Sequence, residues 1–182
     1  MEYCKNLLQL LLSPTCGWED VSGSMPKPML LARTRMLPLF GLAALAQFLA
    51  LAYDGSMPAD VAVIRGAAVF VSLLMAFFIG KVCFDWMLPA MAEVGAYNRR
   101  KADAVVVYTM GLMALAYIVP ALLPVRLALN YILPIGVALV AMKAGAYLRV
   151  KPDKAGLFFL LCLLSMSISS ILVQELVDFT LK

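Results

Sequence analysis

The chain has 182 residues, a formal net charge of +4 and no histidine. It is 64% hydrophobic with a mean hydropathy of +0.92, far above the roughly 45–50% apolar share of soluble domains, and its continuous apolar runs exclude a water-soluble fold of this length. Lack of histidine removes the commonest general base and transition-metal ligand together. The cysteines Cys4, Cys16, Cys83 and Cys162 form no CxxC pair, so no zinc site, disulfide framework or cofactor is expected.

Residues 1–35 read as a cytoplasmic amphipathic segment and linker. Leu7, Leu8, Leu11 and Leu12 cluster at helical spacing before Ser13-Pro14 ends the pattern, and such a helix is expected on the membrane surface. The apolar run is too short, and Glu2 sits ahead of it, for a cleaved secretory signal. Trp18 suits the headgroup layer, where a ring with one N–H donor is at home. Ser22-Gly23-Ser24 and Pro26-Lys27-Pro28 read as connection.

Crossing the hydrocarbon takes roughly 20 apolar residues in a helix, because each residue rises about 1.5 Å and lipid offers the backbone no partners. Five stretches qualify: 36–53, 61–80 extending to 88, 104–124, 127–148 and 155–177. Asp54-Gly55-Ser56 with Pro58 turns the first into the second. The second outruns the bilayer core, so its last turns are expected to emerge into the interface before Pro89. A polar linker covers 93–103, Pro120 and Pro124 lie near the end of the third stretch, and Pro134 is expected to kink the fourth. The fold class is therefore all-α: a polytopic membrane protein, a bundle of five transmembrane helices over 36–182 preceded by a short amphipathic N-terminal helix.

Lys and Arg accumulate in cytoplasmic loops. Twelve of the fifteen fall in the N-terminal segment, the second connection and the fourth connection with its adjoining helix end. Arg65, Arg126 and Lys182 remain on the other side with Asp54, Asp60, Glu175 and Asp178. The N-terminus is thus expected inside and the C-terminus outside.

Charged residues near helix ends are the candidate contacts. Lys81 and Asp85 stand at i, i+4 with Trp86 beside them, a set that an ion pair and a headgroup-level anchor explain. Arg99, Arg100 and Lys101 form a compact basic cluster after Asn98; an anionic leaflet attracts such residues by about 1 kcal/mol each. Lys143 lies deeper and either snorkels, meets a phosphate headgroup or pairs with an acid from another helix. On the outer side, Glu175 and Asp178 oppose the dipole at a helix C-terminus, so at least one contact with Arg65 or Arg126 is expected. Ser165 and Ser169 share a face of the fifth stretch, and Ala141 and Gly145 give the fourth a small-xxx-small pair, both suited to close helix packing. No catalytic triad, phosphate-binding loop or stacking-aromatic basic stretch occurs, so neither an enzyme nor nucleic-acid binding is expected.

Leu12-Ser13-Pro14 followed by Gly17-Trp18-Glu19-Asp20, then Asp85-Trp86, Tyr108 and Gly145-Ala-Tyr-Leu148 before a Lys-Pro loop, resembles the Ypt-interacting-protein (Yip) family, in particular its small bacterial branch. The resemblance runs nearly the full length. It implies five helices with a cytoplasmic N-terminus; eukaryotic members associate with prenylated Rab-type GTPases, but their Asp-Leu-Tyr-Gly-Pro signature does not occur here. The expected function is a non-enzymatic scaffold or adaptor of a bacterial inner membrane, binding anionic lipid headgroups and an unidentified membrane or cytoplasmic protein. The alternative is a solute or lipid transporter with a path between spans three, four and five.

Overall fold

The computed structural model of the chain describes residues 2–24, 27–49, 58–122, 129–165 and 175. These are helical, with no strand among them and one isolated antiparallel bridge between Ala92 and Val150. Two short helices, α1 (Glu2–Leu12) and α2 (Pro14–Ser24), come first. Three long ones follow: α3 (Pro28–Ala46), α4 (Ala59–Met91) and α5 (Arg99–Leu122). Then come α6 (Leu129–Tyr147), a 3-10 turn over Pro152–Lys154, and α7 (Ala155–Leu163).

By length and apolarity α3, α4 and α5 are able to cross a membrane, whereas the apolar part Ile135–Tyr147 of α6 is shorter. The first residues of the fourth expected span, 127–128, and residues 166–174 and 176–177 of the fifth, including Ser169, lie outside the described residues.

The first long helix starts earlier than the sequence pattern suggests. Pro28 takes its first turn, where a missing N–H costs nothing, and the helix continues through a π turn, Ala32–Met36, into Leu37–Ala46. Expected domain boundary 35/36 therefore falls inside one continuous helix. The positions Arg33 to Arg35 read as linker because two arginines interrupt the apolar run, yet long arginine side chains tolerate a helical position near an interface.

Helix α4 has 33 residues, about 50 Å at 1.5 Å per residue, against a hydrocarbon core of about 30 Å. It passes through Pro89 and ends at Met91, where Ala92 turns extended. Its buried positions recur every three to four residues, among them Ala62, Gly66, Val69, Leu73, Ala76, Gly80, Phe84 and Leu88. The opposite side exposes Val71, Met75, Phe78, Ile79 and Val82, an apolar face that suits lipid. Gly66 is required by the crossing with α3: an added Cβ would stand 2.9 Å from the Ala44 carbonyl oxygen, which sits on backbone and cannot swing away.

Helix α5 is the axis of the bundle. Residues 104–114 are buried without interruption, because α1, α3, α4 and α6 surround it. Asn98 starts it by accepting the Arg100 N–H on its side-chain oxygen at 3.0 Å, an N-cap worth about 1 kcal/mol.

The N-terminal helices fold back on each other and dock on α5 and α6. A Cβ on Gly17 would lie 2.9 Å from the Leu10 backbone, so glycine permits the close return after Ser13-Pro14. The face that docks is Tyr3, Asn6, Leu7 and Leu10, while Leu8, Leu11 and Leu12 point outward. The leucine stripe seen in the sequence thus divides: Leu7 enters the core and the other three cover the outside. Trp18, expected to suit the headgroup layer, is only 2% exposed and is held among tyrosine rings.

Candidate functional site

Three basic segments far apart in sequence meet at one end of the bundle. The connection after α4 and the connection after α6 are tied by backbone bonds, Glu93 N–H to the Arg149 carbonyl and Lys151 N–H to the Met91 carbonyl, both 3.0 Å. Lys154 Nζ adds a bond to the Ala90 carbonyl at 2.9 Å. Helix α6 ends in a Schellman motif, with Val150 N–H on the Gly145 carbonyl and Arg149 N–H on that of Ala146. Arg149 occupies the left-handed position, φ 52°, where a non-glycine residue costs on the order of 1 kcal/mol. The ties on either side hold it there. The start of α3 joins this end through Met29, whose Sδ lies 4.0 Å from Lys81 Nζ.

The ion pairs at this end run between segments rather than along one helix. Lys81 pairs with Asp103 of α5 at 3.6 Å, and Asp85 pairs with Arg99 at 3.2 Å. The i, i+4 pairing expected of Lys81 and Asp85 gives way because α5 brings a second acid and a second cation alongside. Tyr97 donates to the other Asp85 oxygen at 3.3 Å; burial first, then the Asp85 charge and this hydrogen bond, push its phenol above the usual tyrosine range. Lys101 lies 4.9 Å from the centre of the Tyr147 ring, a cation–π contact. Arg100 and Lys143 are exposed. Trp86 is 86% exposed, in keeping with an indole turned to its surroundings.

Cations at the first turn of α5 add to the positive end of its dipole, while Asp85 and Asp103 offset Arg99 and Lys81. The structure thus places Lys81, Asp85, Arg99 and Lys101 at one end, in two separate ion pairs and a cation–π contact, with Trp86 and Arg100 exposed there and Lys143 further along α6. Of the outer set, Arg65 is half-buried in α4 and Glu175 is exposed, each with an interaction partner. Arg126 and Asp178 lie outside the described residues. Ser165 is buried and donates to the Leu161 carbonyl of its own helix at 2.6 Å, so its hydroxyl is satisfied locally.

Sequence reasoning missed the polar anchors of the N-terminal helices. Tyr3 donates to the Val107 carbonyl at 3.1 Å, Asn6 Nδ2 to the Tyr108 hydroxyl at 3.2 Å, and Trp18 Nε1 to the Val140 carbonyl at 3.0 Å. Trp18 stacks on Tyr147 at 6.0 Å between centroids and meets Tyr108 edge-on at 6.5 Å; Tyr3 lies 5.0 Å from Tyr108. Gly111 leaves room for this docking, since a Cβ there would collide with the Tyr3 hydroxyl. Beside the anchors opens a cleft of about 200 Å³ between α1, the start of α3 and α5, bordered by Glu2, Lys27, Leu30 and Leu31, with Tyr108 in its wall. Comparison with protein-family models, with curated proteins and with solved structures finds no match to this chain.

Proposed function

We propose that the protein is a non-enzymatic, five-span scaffold or adaptor of a bacterial inner membrane, related to the Yip family, whose basic end faces the cytoplasm and engages anionic lipid headgroups and a protein partner. The observation that carries this reading is the meeting of the three basic segments at one end, through Lys154 on Ala90 and Lys81 on Met29. Their gathering supports a single membrane face richer in Lys and Arg, which is the cytoplasmic one by the positive-inside rule. The outward leucines Leu8, Leu11 and Leu12 suit an N-terminal pair of helices seated in the inner leaflet. Tight burial of α5, with Met110, Leu112, Met113 and Ala114 at 0–2% exposure, favours a packed bundle over a transport path along that helix.

The test is lipid retention by the full chain, measured by native mass spectrometry after incubation with phosphatidylglycerol or phosphatidylcholine. Wild type is expected to retain the anionic lipid preferentially, with the preference falling as salt rises. Replacing Arg99, Arg100 and Lys101 together by Gln should weaken that preference about tenfold or more, given about 1 kcal/mol per basic residue at a surface. Equal retention of both lipids, insensitive to salt, would contradict the proposal.

A further inference from the structure

The cleft beside α1 has a chemistry that the anion-attracting end does not need. It sets a carboxylate, Glu2, and an ammonium, Lys27, on one small opening, and among the described residues neither is joined to the other by an ion pair. In its wall, the Tyr108 hydroxyl accepts from Asn6 and has no protein acceptor for its own proton among the described residues. Tyr108 is 2% exposed, so that unspent O–H donor is aimed at the cleft or left unsatisfied, and buried donors seldom go unsatisfied. The site thus offers two groups that seek an anion and one that seeks a cation. Its volume of about 200 Å³ is below the roughly 300–1,000 Å³ that enclose a whole organic ligand, which fits a small polar group whose remainder stays outside. Leu30 and Met29 next to it are exposed apolar residues at the start of α3, giving an attached chain an apolar exit.

We propose that this cleft holds the headgroup of a phosphoethanolamine lipid, its phosphate on Lys27 and the Tyr108 hydroxyl and its primary ammonium on Glu2. The inference rests on the reading that this end of the bundle faces the inner leaflet, and it adds a defined zwitterion site to a diffuse anionic one. A primary ammonium donates hydrogen bonds to a carboxylate, whereas a trimethylammonium has no N–H to give, so the site distinguishes phosphatidylethanolamine from phosphatidylcholine. A lipid rather than a free metabolite is assigned because of the apolar rim.

The experiment measures retention of phosphatidylethanolamine, phosphatidylcholine and phosphatidylglycerol by the full chain, for wild type, Glu2→Gln, Lys27→Gln and Arg99→Gln/Arg100→Gln. Glu2 and Lys27 are exposed, so neither replacement disturbs the core. Wild type is expected to favour phosphatidylethanolamine over phosphatidylcholine about tenfold, the scale of one charge-assisted hydrogen bond. Glu2→Gln should erase that preference, and Lys27→Gln should lower retention of both zwitterionic lipids about tenfold. Arg99→Gln/Arg100→Gln should leave phosphatidylethanolamine retention unchanged while weakening phosphatidylglycerol; the two sites thus fail separately. Equal retention of the two zwitterionic lipids by wild type, or no effect of either cleft variant, would overturn the proposal. Displacement of the lipid by free phosphoethanolamine at equal concentration would overturn the assignment to a lipid.

Discussion

Trp18 is the residue on which docking of the N-terminal helices turns, and its replacement gives a quantitative test. Truncating a buried Trp to Ala costs about 3–5 kcal/mol in a closed core. Its stacked and edge-on contacts with Tyr147 and Tyr108 contribute about 0.5–1.5 kcal/mol each, and the bond to Val140 about 1 kcal/mol. An undocked Trp18 does not go to bulk water, because an indole is well placed at the membrane interface. That alternative returns part of the transfer term, leaving a docking loss of about 2–3 kcal/mol when the packing, ring and hydrogen-bond terms are combined. Hydrogen–deuterium exchange reads this directly: in Trp18→Ala, protection of the α1 and α2 amides should fall about 30- to 150-fold, with α5 unchanged. Trp18→Phe keeps the ring and loses the N–H donor, so its loss should be nearer fivefold, about 1 kcal/mol. Unchanged α1 and α2 protection in Trp18→Ala would refute the docked arrangement.

Other parts of the fold give further expectations. Gly66→Ala gains about 1 kcal/mol of helix propensity but places its methyl against the Ala44 carbonyl, an overpacking cost of about 1–3 kcal/mol; steric-trap or denaturant unfolding should register a net loss, and a gain would mean that α3 and α4 do not cross there. The Lys81–Asp103 pair, with side chains 21% and 14% exposed, lies between surface pairs worth at most about 1 kcal/mol and buried ones whose rupture costs about 3–5. A double-mutant cycle of Lys81→Met and Asp103→Leu should therefore give about 1–2 kcal/mol of coupling, whereas zero coupling would remove the pair from the account. Tyr97, with a phenol pKa raised by burial and by Asp85, is neutral when folded at ordinary pH. Its contribution is fully present below the free tyrosine pKa and is lost as pH rises through the elevated folded value. Phenolate absorbance should accordingly appear at higher pH than in the unfolded chain, and Asp85→Asn should bring it part of the way down; an unshifted titration would contradict the contact.

How much of this was readable beforehand follows from what lipid does to sequence patterns. Helix existence was legible because length and apolarity alone decide it, as for Ala59–Met91 and Arg99–Leu122. Helix faces were not, since a side turned to lipid and a side turned to the core are equally apolar. Leu7 and Leu8 are adjacent leucines with opposite fates, and periodicity has no means to separate them. The basic segments stood out in the sequence by their count, but the partners Asp103 for Lys81 and Arg99 for Asp85 depend on helix neighbours that local spacing does not encode. The one signal for the N-terminal docking was polar: Tyr3 and Asn6 stand on the Leu7–Leu10 face, where a surface helix would carry apolar residues, and both turn out to bond α5. Gly17 and Gly111 could be understood only once the backbones that approach them were known.

The most direct measurement is sidedness, using single cysteines in a chain whose native cysteines are replaced by alanine and a membrane-impermeant thiol reagent on sealed vesicles of known orientation. Val94→Cys and Asp153→Cys, at exposed positions on the two connections tied at the basic end, should react from the cytoplasmic side, and Pro58→Cys, at the far end of α4, from the opposite side. Lys182→Cys should report with Pro58→Cys, as five crossings require. Labelling of positions 94 and 58 from the same side, or of positions 94 and 182 from the same side, would contradict the account.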